Sequence, residues 1–135
     1  MKKIYYFLVV GLMAFMLVAT TNRNASKHGF VTGTPEIQAI NALAFGPDGV
    51  LFIGDSKSAS VFAIDTKDNT PTGKAPMVEM KNVDQRIAAL LGTEARNISI
   101  QDLAVNPISK KIYCAVQNAD GMAVLLTIEG DYISP

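Results

Sequence analysis

Few side chains in this sequence are suited to covalent chemistry. Cys114 is its only cysteine and His28 its only histidine. A thiol or hydroxyl nucleophile needs a neighbouring base, and His28 stands in a polar stretch away from every patterned segment. The run from Lys111 to Val116 reads as a strand, which makes Cys114 a small buried apolar residue within it. A single cysteine cannot close a disulfide within its own chain. Gly46-Pro47-Asp48-Gly49 is a turn rather than a phosphate cradle, since no Lys-Ser/Thr pair follows it into a helix. Two acids stand out. Asp55 closes a short strand, where it can accept hydrogen bonds from the next turn or face a ligand. Asp102 interrupts an apolar run between Ile100 and Leu103, where it can face a channel or tie down a neighbouring loop.

The chain that must position these residues is 135 residues long, enough for one domain. Met1-Lys2-Lys3 is basic, Ile4 to Ala19 is almost wholly apolar, and Thr20 to Asn24 turns polar. This is the layout of a secretory signal, or of an uncleaved anchor a little short of the ~20 apolar residues of a spanning helix. It predicts an exported protein, periplasmic or extracellular, either released or held to the inner membrane by residues 4–19. Beyond residue 20 the charges come to ten basic against twelve acidic, so no basic footprint for nucleic acid exists. Residues 21–36, with Gly29, Gly33 and Pro35, read as a linker.

The remainder contains a repeat. Ile40-Asn41-Ala42-Leu43-Ala44-Phe45-Gly46-Pro47 returns sixty positions on as Ile100-Gln101-Asp102-Leu103-Ala104-Val105-Asn106-Pro107. In each copy a turn and a β-rich run follow, Val50 to Asp55 and Ile112 to Ala115, the second copy having one extra turn residue. Val61 to Ile64 and Ala123 to Ile128 then supply a third strand each. Pro47 presets a turn, and Asp48-Gly49 tolerates the positive φ that such turns require. A fourth, outer strand is expected at 76–80. Between the copies, Val83, Ile87, Leu90 and Leu91 fall on one helical face, with Asn82 and Gln85 spaced as a capping box and Gly92 at the C′ position. This predicts a helix over 83–91, inserted between the copies and packed on a rim.

Short antiparallel strands repeated in this way are a mark of propellers and related arrays. The stretch Asn41 to Ser56, with its Pro-Asp-Gly turn and closing Gly54-Asp55-Ser56, resembles a blade of the gluconolactonase and senescence-marker-protein-30 propellers, and of the NHL and YVTN repeat groups. The resemblance covers about two blades. It implies a mostly β fold over 37–135: an incomplete propeller of two four-stranded antiparallel blades, at about 40–81 and 98–131. It also implies a divalent cation in the central channel, with Asn41 in the place of one ligand. At the matching place in the other copy stands Gln101, with Asp102 one step along; Asn41 and Asp102 are the metal candidates and Asp55 the channel-facing one. The expected role is binding of a small molecule, carbohydrate or protein on the propeller face, with the missing blades supplied by a longer chain or by oligomerisation. The alternative is the first part of a metal-dependent lactonase-like hydrolase whose other site residues lie beyond residue 135.

Overall fold

The computed structural model describes residues 28–74 and 77–135. The expected signal and residues 21–27 of the expected linker lie outside them. The chain divides into two units, Met1–Val31 and Thr32–Pro135. In the described part of the first, the rings of His28 and Phe30 meet edge-on at 5.9 Å. No helix among the described residues is long and apolar enough to cross a membrane.

The second unit is mostly β. Strands β1 (Ala42–Phe45), β2 (Val50–Asp55) and β3 (Ser60–Asp65) form an antiparallel sheet in sequence order. Strands β4 (Ile98–Val105), β5 (Ile112–Asn118), β6 (Ala123–Glu129) and β7 (Tyr132–Ser134) form a second, also in order. Helix α1 (Val83–Leu90) lies between them in sequence. The two copies share one pairing register. Leu43 faces Ile53 and Phe45 faces Leu51 in the first sheet; Leu103 faces Cys114 and Val105 faces Ile112 in the second.

The turns explain the register. Asp48 and Gly49 both have positive φ, 57° and 74°, and the Gly46 N–H closes the loop on the Val50 carbonyl at 2.8 Å. In the second copy the longer loop closes from the Asn106 N–H to the Lys111 carbonyl at 2.9 Å, and the extra residue is absorbed by Lys110 at φ 64°.

The sheets stack in one direction. Leu43, Leu51 and Ile53 of the first sheet pack on Tyr113 and Ala115 of the second, with Phe45 set edge-on to Tyr113 at 5.0 Å between ring centres. The opposite face of the second sheet, with Cys114, Val116, Leu126 and Ile128, packs on Ile87 of α1. By register, this is the face equivalent to the one the first sheet lays on the second. Helix α1 therefore stands where a third sheet would stand, on the sheet face and not on a rim.

Two further expectations fail locally. Residues 77–80 form no strand, so the first sheet has three strands and not four. The reason is that Val78 and Met80 join the core under α1, against the second sheet, instead of extending β3. The capping box is not formed either: Asn82 is left-handed at φ 53° and its side chain makes no cap hydrogen bond. At the other end Gly92, at φ 69°, closes a Schellman motif, its N–H donating to the Ala89 carbonyl and that of Thr93 to Ala88. Val83, Ile87 and Leu91 face the core, but Leu90 is exposed and Ala88 is buried in its stead.

Candidate functional site

The three acids and amides singled out from the sequence do converge, but on backbone. Asp55 and Asp102 hold the Gln38 and Leu43 N–H groups, before and within β1, and Asn41 between them holds Ser56 of the turn after β2. Asn41 stands just before β1, and its Oδ1 accepts from both the N–H (3.1 Å) and the hydroxyl of Ser56. An amide oxygen has two lone pairs, so Asn41 has none left for a cation unless the turn after β2 lets go.

Asp55 is almost fully buried at the end of β2. Its Oδ2 accepts from the Gln38 N–H at 2.7 Å, and its Oδ1 from the N–H groups of Lys57 (2.9 Å) and Ser58 (3.1 Å). Burial pushes its pKa up, but the backbone N–H groups of Gln38 and Ser58 outweigh this and hold the carboxyl at about 2. Because the folded-state value lies below the ordinary 3.8, the stabilisation is complete above about pH 4 and is lost as the pH falls through about 2. Thermal unfolding of the Asp55→Asn variant should therefore show a flatter acid limb than the parent between pH 5 and pH 2; parallel limbs would count against this assignment.

Asp102 owes its orientation to a β-bulge. The register of β4 on β5 slips between Ile100 and Asp102, leaving Gln101 as the extra residue. The slip moves Asp102 onto the row of Ala104, the face turned to the first sheet. There its Oδ2 accepts from the Leu43 N–H of β1 at 2.7 Å, while Oδ1 accepts from the Leu103 N–H at 2.8 Å. One carboxylate thus ties the edge strands of the two sheets together. Lys57 makes a second tie, its ammonium donating to the Gly121 carbonyl at 3.1 Å.

A polar knot at the opposite end of the sheets has no counterpart among the sequence expectations. Asn106 is fully buried in the β4–β5 turn. Its Nδ2 donates to the Asp68 carbonyl (2.6 Å) and to Asp68 Oδ2 (3.0 Å), and its Oδ1 accepts from the Ile108 N–H (2.8 Å). The same Asp68 oxygen accepts from the hydroxyls of Ser109 (2.6 Å) and Tyr113 (3.1 Å). Burial, with the Asp68 carboxylate beside it, raises the Tyr113 pKa. Cys114, next in the strand, is wholly buried, and burial alone pushes its thiol up to about 11. It is a core residue, as its strand pattern implies.

A cleft of about 590 Å³ lies beside this knot. Thr72, Ser109 and Lys111 form one part of its lining, and Glu129, Asp131 and Tyr132 another. The β6–β7 turn, with Gly130 at φ 57°, places Glu129 directly across from Tyr132. The Lys111 ammonium stands 3.4 Å from Glu129 Oε2. Tyr132 is 82% exposed. Only an aromatic following Glu129-Gly130-Asp131 could have flagged this place in the sequence, and by itself that is a weak sign.

Among the described residues no group of three His, Cys, Asp or Glu side chains is placed to hold a metal ion. Comparison with family models, curated proteins and solved structures gives no match for this chain.

Proposed function

We propose that the chain is an exported binding module, built from two propeller-like repeats, that takes a carbohydrate in the cleft beside Tyr132. The observation that carries this reading is the contrast between two sets of polar groups. Asn41, Asp55 and Asp102 hold backbone N–H groups, and the Asp68 carboxylate holds the side chains of Asn106, Ser109 and Tyr113. Glu129, Asp131, Lys111 and an exposed tyrosine ring line an open cleft. An aromatic face with carboxylates and hydroxyls around it suits a sugar: the ring packs on C–H groups and the oxygens accept from its hydroxyls. The repeat and the apolar N-terminal run support the propeller and export parts of the reading.

Calorimetric titration of the full chain with soluble cello-, malto- and chito-oligosaccharides tests it. Saturable binding to one class is expected. Tyr132→Ala should weaken it by about tenfold or more, equivalent to ~1.4 kcal/mol, and Tyr132→Phe should largely retain it. Binding to none of the three classes, or binding indifferent to Tyr132→Ala, contradicts the proposal.

A further inference from the structure

The part of the cleft that carries Tyr132 is a slender one. Strand β7 has three residues and follows β6 through the two-residue turn Gly130-Asp131, with Gly130 at φ 57°. No strand among the described residues pairs with its other edge. So short an edge strand frays readily, because little ladder holds it. Helix α1 holds it at two points. Ile133 packs into the cluster around Ile87, which is fully buried. Arg86, the residue before Ile87, reaches the turn itself, where its Nη2 donates to the Asp131 carbonyl. Strand residues alternate between faces. The helix therefore grips β7 from the face of Ile133 and Ile128, and Tyr132 stands on the other face across from Glu129.

We propose that Arg86 is a positioning residue for the cleft, a role that rests on the cleft being a binding site. Arg86 holds the Asp131 carbonyl, and that carbonyl shares one rigid plane with the N–H and Cα of Tyr132. Fixing the oxygen thus fixes the point from which the Tyr132 ring projects. The anchor is itself fixed: the Arg86 N–H donates to the Asn82 carbonyl at 3.1 Å within α1, and the next residue is locked in the core. A guanidinium donor makes the stronger, charge-assisted kind of hydrogen bond. The bond uses a main-chain oxygen, so a ligand can engage the side chains of Asp131 and Tyr132 without breaking it. A hairpin held in place before binding has less freedom to lose on binding. The role is also local. Arg86 is exposed, and α1 docks through Val83, Ile87 and Leu91, so the helix stays in place without it.

The full chain is compared with Arg86→Ala, Arg86→Lys and Gln85→Ala, the last altering the exposed helix position beside Arg86. Nitrogen-15 relaxation and amide exchange over residues 130–134, with the carbonyl carbon shift of Asp131, read the hairpin without a ligand. Arg86→Ala should loosen 130–134 and move the Asp131 carbonyl upfield, while the amides of α1 and β5 stay as in the parent. Arg86→Lys keeps a charged donor and should restore most of the order; Gln85→Ala should change neither signal. In titration with the oligosaccharide that the parent binds, Arg86→Ala should lower the affinity about two- to tenfold, and Arg86→Lys less. An Arg86→Ala hairpin as ordered as the parent's, loosening spread evenly over the whole unit, or a loosened hairpin with unchanged affinity overturns the proposal. A parent that binds no oligosaccharide sinks the carbohydrate reading alone, and the ligand-free signals then decide the role of Arg86 by themselves.

Discussion

Asn106→Ala should be the most damaging single substitution in the polar framework, with a loss of about 3–4 kcal/mol in chemical denaturation. The side chain is fully buried and binds three groups on two residues: the Asp68 carbonyl, the Asp68 carboxylate and the Ile108 N–H. Truncation leaves a cavity and two buried groups without partners, each worth roughly 1–3 kcal/mol when left unmade. Asn106→Asp separates hydrogen bonding from shape. It keeps an acceptor for Ile108 but sets a second carboxylate where 3.0 Å now separates an amide nitrogen from Asp68 Oδ2. It should be at least as damaging at neutral pH and should recover on acidification, as one of the pair takes a proton. A loss below ~1 kcal/mol for the alanine variant would mean that the knot is incidental to the fold.

Asp102→Ala is expected to cost about 2–3 kcal/mol, since hydrogen bonds to a charged acceptor contribute roughly 1.5–3 kcal/mol and the Leu43 N–H is left unpaired. Leu43 is itself a core residue, 9% exposed, so water is a poor substitute partner there. Asp102→Asn keeps one carboxamide oxygen for the two N–H donors and should fall between parent and alanine. Denaturation of the three proteins in parallel, at matched m-values, gives the order directly.

The repeat was legible because alternation and turn chemistry repeat together. Leu43 and Phe45 recur as Leu103 and Val105, and the Pro47 and Pro107 turns fix the register that follows. The helix was legible from Val83, Ile87 and Leu91, and its end from Gly92. Its docking place was not, because an apolar stripe says that a face is covered and not by what. The missing strand at 77–80 is the same failure: Val78 and Met80 have strand-like spacing, yet their partners lie across the second sheet.

For the candidate site, residue type was a fair guide and residue role was not. Asp55 and Asp102 were visible as acids at strand positions, and both matter. Whether Asp102 faces a channel or a neighbouring strand depends on the bulge at Gln101, a one-residue slip that turns the side chain over. Nothing in the local pattern announces it. Asp68 and Asn106 lie 38 residues apart in the chain and meet only because the sheets stack. Long-range polar pairs of this sort leave no periodicity to read.

Asp102 joins the two repeat sheets through the Leu43 N–H. Following the Leu43 amide proton by NMR while calcium and then magnesium are added tests it most directly. The expected result is a downfield, slowly exchanging amide that neither cation moves and that Asp102→Ala shifts upfield and exposes to exchange. A Leu43 resonance that titrates saturably with either cation, or one that Asp102→Ala leaves in place, would contradict it.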